Sequence, residues 1–266
     1  MSSWQVIEGD CLEVMRGMAD GSVDMVLTDP PYNISQQNSI TRNGGKYGDA
    51  ADIDLDFGEW DSQWEGEEDY LAWCRLWLEQ LARVIKPEHH VVFFFNWALF
   101  HPVRTMAEDM GLVARQPLYW VKTNPAPRAR KVDFMKSHET AFWFTAGRSR
   151  QEFFNWSLGQ QLDYVPAPVP HSDRVHPTQK AEQPLRVWMN YLSGAGGTVL
   201  DPFCGSGTTG VVAMQEGRNF VGIELSPTYA AMARERIARW HIKPSRARDN
   251  APEEQLTMEE LTCTGS

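Results

Sequence analysis

Asp29-Pro30-Pro31-Tyr32 follows the apolar run Val23-Asp24-Met25-Val26-Leu27-Thr28, which reads as a buried strand. An acid at the end of such a strand projects into a crevice at the carboxyl edge of a sheet. Two successive prolines fix φ and remove two N–H donors, so the Pro30 carbonyl is held in a stiff geometry. A carboxylate and a carbonyl together are two acceptors for an amino group, and Tyr32 adds an aromatic plane for the flat ring that carries it. The same residues also read as a Pro-Pro turn closing a strand. Taken alone, they leave both readings open.

A second constellation lies far downstream. Thr198-Val199-Leu200-Asp201 is a short apolar strand that runs into Pro202-Phe203-Cys204-Gly205-Ser206-Gly207-Thr208-Thr209, and Gly210 to Met214 has helical character. Strand, glycine-rich turn and helix let a backbone approach a ligand closely, with free N–H groups at the helix start. The next strand, Phe220-Val221-Gly222-Ile223-Glu224, ends in an acid suited to ribose hydroxyls. Gly205, Gly207 and Gly210 also fit G-x-G-x-x-G, so the glycines alone leave a dinucleotide open.

With both constellations in this order, the chain resembles the β-class amino-methyltransferases, which use S-adenosylmethionine to methylate exocyclic amines of DNA bases. Three further stretches carry the resemblance: Gly9-Asp10-Cys11-Leu12, His176-Pro177-Thr178-Gln179-Lys180, and Lys122-Thr123-Asn124-Pro125-Ala126-Pro127 with His138-Glu139-Thr140. The last resembles a block of the adenine-specific branch. The similarity covers residues 5 to about 240.

The resemblance implies a catalytic set of Asp29, Pro30, Pro31 and Tyr32. It implies an S-adenosylmethionine site at Asp10, Thr178, Lys180, Asp201, Phe203, Gly205, Ser206, Gly207, Thr208 and Glu224. In it Lys180, Ser206 and Thr208 serve the methionine end of the cofactor, Glu224 the ribose and Asp10 the adenine edge. Asp10 reads equally as the N-cap of a helix from Cys11. Two departures stand out: Ala181 follows Lys180 where the family has Pro, and Cys204 occupies a position where other small or apolar residues are common.

The implied reaction is methyl transfer to the N6 amine of adenine in double-stranded DNA, with the base flipped out of the duplex. N4-cytosine methylation suits the same acceptor pair, although the cytosine branch more often has Ser in place of Asp29. RNA or protein amine methylation and a noncatalytic binding module are more distant alternatives. Relatives are often dimeric, so the resemblance leaves a homodimer open, and no stretch of the sequence marks an interface.

Composition bounds these readings. The 266 residues are 42% hydrophobic, enough for one large core, with no long apolar run that would span a membrane and no export signal. Cys11, Cys74, Cys204 and Cys263 are scattered without paired metal spacing, which predicts a reduced cytoplasmic protein without a metal site. The net charge of −10 is acidic for a DNA-binding chain. Basic residues gather between Arg115 and Lys136, opposed only by Asp133. The candidate DNA contacts are Lys122, Arg128, Arg130, Lys131 and Lys136 of this stretch, with Asn124 and His138 added by the blocks that carry the resemblance, against a solvated loop as the plainer reading.

Those residues need a scaffold. Strands are predicted at 5–8, 23–28, 90–96, 118–122, 140–145, 198–201 and 220–224, with helices at 67–85, 97–110, 183–192, 208–216 and 227–240. This alternation predicts an α/β fold with a doubly wound, mostly parallel sheet. The resemblance makes it the Rossmann-like S-adenosylmethionine-dependent methyltransferase type, with circularly permuted motif order. Residues 1–244 read as the catalytic domain and 245–266 as a flexible acidic tail. Within the domain, 33–60 read as a mobile loop. The resemblance makes the aromatic and Pro-rich stretch 148–174 a target-recognition insertion, while its aromatics also read as core packing under a loop.

Overall fold

A computed structural model describes residues 2–31, 64, 66–127, 134–147, 153–170 and 180–241. Tyr32, Arg128, Arg130, Lys131, Thr178, the 33–60 loop and the 245–266 tail lie outside the described residues. The strands are β1 (Trp4–Glu8), β2 (Val23–Thr28), β3 (Ile85–Phe94), β4 (Leu112–Ala114), β5 (Leu118–Lys122), β6 (His138–Ala146), β7 (Tyr164–Ala167), β8 (Thr198–Asp201) and β9 (Asn219–Glu224). They form one sheet in the order β1-β9-β8-β2-β3-β6-β5-β7, with β4 on β6. Among the described strands β6 alone runs against the rest: it pairs antiparallel with β3, β4 and β5, and every other pairing is parallel.

Alternation along the strands splits the core into two layers. Met25, Leu27, Val92, Phe94 and Val199 face one side. There they meet α4 (Glu182–Leu192), α5 (Thr208–Gln215) and α6 (Pro227–His241) through Leu185, Trp188, Val211, Ala233 and Ile237. Val26, Val91, Phe93 and Leu200 face the other. Their partners are α1 (Cys11–Arg16), α2 (Glu67–Val84) and α3 (Phe100–Asp109), through Met15, Trp77, Leu81 and Val103. Helices on both faces of a mostly parallel sheet make this the doubly wound α/β architecture that the sequence predicts.

Three details depart from expectation. β3 starts at Ile85 rather than His90, because Val23 pairs with Ile85 and Met25 with His90, so residues 86–89 bulge from the ladder. Glu88 takes a left-handed φ of 68° in that bulge. The three-residue β4 was not anticipated. Nor was β7, which lies in the predicted recognition insertion and contains Pro166. Its place at the end of the strand order explains the proline, since an edge strand tolerates a missing ladder donor. None of the described helices is long and apolar enough to cross a membrane.

Candidate active site

Because β1, β9, β8, β2 and β3 are parallel, their carboxyl ends share one edge, and the candidate acids follow them. Asp29 leaves β2, Asp201 ends the neighbouring β8, Glu224 ends β9 and Asp10 follows β1. Thr28 Oγ1 donates a 2.6 Å hydrogen bond to Asp201 Oδ1, tying the two motif-bearing strands at this edge. β6, running the other way, brings its amino end there, so Glu139 arrives beside the same crevice.

The Asp29-Pro30-Pro31 turn is fixed from several sides. Tyr70 of α2 donates from its hydroxyl to the Pro31 carbonyl at 2.6 Å. Pro30 is buried and Asp29 half-buried. Lys180 Nζ lies 2.7 Å from Asp29 Oδ2 and 2.9 Å from Glu139 Oε2, and 4.8 Å from the centroid of the Phe94 ring. Lys122 Nζ approaches the other oxygen of Glu139 at 2.8 Å. Burial works against the charge on Glu139, but Lys180 and Lys122 outweigh it and hold the carboxyl at about 2. Burial likewise opposes the Lys180 charge, yet Asp29 and Glu139 raise its pKa above that of an ordinary lysine.

The glycine-rich loop wraps the end of β8. Gly205 and Gly207 have φ of 52° and 82°, and a Cβ on Gly207 would sit 2.9 Å from that of Ala233 in α6. A Cβ on Gly205 would instead meet nothing within 4 Å, so open space flanks the loop there. Glu224 faces the same stretch, accepting from Gly205 N at 2.8 Å and from Ser226 N at 2.9 Å. Burial raises the Glu224 pKa, and these backbone donors moderate the rise. A carboxylate has about four lone-pair sites, so two backbone donors leave room for ribose hydroxyls. An open glycine flank beside an acid at a strand end fits a nucleoside with a charged amino-acid tail.

Other predicted residues support the loop rather than open onto it. Asp201 is 3% exposed and accepts from Thr28 and from Phe203 N, at 3.2 Å. Its carboxyl is pushed up to about 6 by burial, against the hydrogen bonds from Thr28, Thr209 and Phe203 N. Ser206 and Thr208 are buried, and Arg236 of α6 donates to the Ser206 carbonyl, to Ser206 Oγ at 2.8 Å and to Thr208 Oγ1 at 3.4 Å. Phe203 packs on Trp73 and Trp77 of α2, with centroids 5.6 and 5.8 Å away. Asp10 caps α1, accepting from Leu12 N at 2.9 Å and Glu13 N at 3.1 Å.

The predicted DNA contacts divide. Lys136 and His138 are exposed, whereas Lys122 is committed to Glu139. Asn124 accepts from Val169 N at 2.7 Å and donates to Val169 O at 3.4 Å, clamping the exit of β7. Among the described residues no group of three or more His, Cys, Asp or Glu could hold a metal ion. Tyr70, Glu139 and Arg236 were not among the predicted site residues. Only Glu139 had a sequence signal, as the middle residue of His138-Glu139-Thr140.

Comparison with known proteins agrees with this geometry. The family model for N6/N4 methyltransferases, described as DNA methylase, matches residues 23–235. The type II methyltransferase M2.DpnII of Streptococcus pneumoniae is 30% identical over 244 residues, spanning 87% of this chain and 88% of its own. The type II methyltransferase M.HinfI of Haemophilus influenzae is 27% identical over 259 residues, 90% of this chain and 69% of its own. Among solved structures, the M1.HpyAVI complex with S-adenosylmethionine superposes with a TM-score of 0.65 at 23% identity, covering 88% of this chain and all of that one. The cytosine-N4-specific PvuII DNA methyltransferase gives 0.69 at 18% identity, over 92% of this chain and 88% of that one. The matched span takes in both constellations at the carboxyl edge, and the chain belongs to the N6/N4 DNA methylase family of S-adenosylmethionine-dependent DNA methyltransferases.

Proposed function

We propose that this methyltransferase acts on the N6 amine of adenine in double-stranded DNA, with Asp29 Oδ and the Pro30 carbonyl each accepting one N–H. The observation that carries the reading is the adjacency of β2 and β8. Asp29 and the glycine-rich loop leave neighbouring strands on one edge, braced by Thr28 and Asp201. S-adenosylmethionine supplies a methyl group on a positively charged sulfur. Glu224 would hold its ribose, Phe203 to Thr208 would shape the pocket around its amino-acid end, and Asp10 would border its adenine.

The adenine amine is a poor nucleophile because its lone pair is delocalised into the ring. Two acceptors set at Asp29 and Pro30 favour a pyramidal nitrogen whose lone pair points at the methyl carbon, a positioning effect more than base catalysis. With the cofactor bound, the N–C bond would form as the S–C bond breaks, and the N6 proton made acidic by transfer would leave through the acceptor at Asp29. Flipping the base costs a few kcal/mol. Stacking on Tyr32, next in sequence after the turn, returns about 1–3 kcal/mol.

The test is methyl transfer from labelled S-adenosylmethionine to unmethylated DNA, followed by digestion and mass spectrometry of the nucleosides. N6-methyladenine is the expected product. N4-methylcytosine would keep the acceptor pair and overturn the base.

A further inference from the structure

The Lys180 ammonium is the meeting point of two carboxylates from different strands. Its side chain is only 9% exposed, so it needs compensation for lost hydration, and the structure supplies Asp29 at 2.7 Å and Glu139 at 2.9 Å. β3 lies between the strands that bear these acids, and Lys180 immediately precedes Ala181, the N-cap of α4. One cation therefore gathers the ends of β2 and β6 at the entry to α4. Lys122 of β5 extends the chain through Glu139, giving alternating charges from Lys122 to Glu139, Lys180 and Asp29. Family resemblance gives Lys180 to the methionine end of the cofactor, but here its ammonium contacts the acid that takes the amine.

We propose that Glu139 and Lys180 are a positioning pair for methyl transfer: Glu139 sets the Lys180 ammonium, which pins Asp29 Oδ2 and so fixes the plane of the accepting carboxylate. The proposal rests on the role given to Asp29 above. Two hydrogen-bond acceptors can pyramidalise an amine only if both are held in direction as well as distance. A side-chain carboxylate at a strand end has two torsions to lose, and the ion pair removes them before substrate arrives. Glu139 acts only through Lys180, whose position depends on where its second carboxylate stands.

The experiment compares wild type, Asp29→Ala, Glu139→Gln and Lys180→Met. It measures the single-turnover rate at saturating DNA and S-adenosylmethionine, and the S-adenosylmethionine dissociation constant by calorimetry. Glu139→Gln is expected to slow transfer by about 10- to 100-fold, the scale of a misplacement near 1 Å, with cofactor and DNA affinity unchanged. Lys180→Met is expected to lose at least as much rate, again with cofactor affinity intact. Glu139→Asp keeps the charge and the fold but shortens the reach by one methylene, and it too should slow transfer. A wild-type rate in Glu139→Gln and Glu139→Asp would overturn the proposal. So would a Lys180→Met variant that binds cofactor weakly yet transfers normally at saturation. Failure of the underlying reading looks different: wild type would methylate no base amine, or Asp29→Ala would remain active.

Discussion

Thr28 and Asp201 stand 173 positions apart in the chain, and the threonine hydroxyl donates to the aspartate carboxylate at 2.6 Å. One residue precedes the turn proposed to take the amine, and the other precedes the loop proposed to take the cofactor. Their bond sets the offset between the halves of the reaction centre, and β2 and β8 are hydrogen-bonded neighbours just beneath it.

Thr28→Val keeps the shape and removes the donor. Asp201 is buried, so the lost partner is not replaced by water, and unfolding in urea should show a loss of about 1–3 kcal/mol. The methyl-transfer rate should fall further than cofactor affinity, because the variant frees the relation between the two strands more than the loop.

Asp201 and His90 predict opposing pH dependences. Asp201 is raised by burial from 3.8 to about 6, so the folded state holds its proton where the unfolded chain has released it. Its contribution therefore falls as pH rises from 4 to 6, by about 3 kcal/mol. His90 is lowered by burial from 6.5 to about 4, and its contribution is lost as pH falls through that window. It is held by the Phe153 carbonyl on one nitrogen and by Trp143 Nε1, at 3.1 Å, on the other. Asp201→Asn should gain stability relative to wild type between pH 4 and 6. Equilibrium unfolding at half-unit intervals checks the sign, and a constant difference would contradict it.

The two loop glycines should respond differently to alanine. At Gly207 the new methyl lands 2.9 Å from Ala233 Cβ and 3.0 Å from its Cα at a φ of 82°, which should cost about 2–5 kcal/mol and weaken cofactor binding. Gly205→Ala faces open space at a φ of 52° and should cost about 1–2 kcal/mol of stability. Its methyl stands in the proposed cofactor space, so calorimetry should still record weaker binding. Thermal melting of the pair separates clash from occlusion.

Arg236 reaches from α6 to Ser206 and Thr208 and holds the loop from behind. Arg236→Met should leave about 1 kcal/mol of loop ordering to be supplied on binding, a roughly fivefold rise in the S-adenosylmethionine dissociation constant. The single-turnover rate at saturation should stay near wild type. A large loss of rate with unchanged affinity would assign Arg236 a different role.

Asp29, Asp201 and Glu224 were legible because each is an acid at the end of a short apolar run, a pattern that fixes both strand and edge. β2 and β8 fall on their predicted residues for the same reason. The link between Glu139 and Asp29 was not legible, because it depends on β6 running backwards. Residues 138–146 look alike in either direction, and only the pairing shows which end reaches the crevice. Tyr70 and Arg236 were hidden differently: each sits on an amphipathic helix, where position along the chain does not reveal that a polar tip returns to the sheet edge. β7 was obscured by its own Pro166, and the start of β3 by Pro87 and the bulge around it.

At the opposite end of β2, Asp24 Oδ2 accepts from Thr198 N at 2.9 Å, while Oδ1 pairs with Lys86 at 2.6 Å and lies 3.4 Å from His89. The central strand is thus pegged to its neighbours at both ends, through residues four positions apart. Sliding it by one residue would turn every side chain to the wrong face. The strand is a gauge between its two pegs, and its register against β8 is held at both ends. Loosening the far peg should leave a mixture of true and misregistered molecules: a smaller active fraction, each member of it working at full speed.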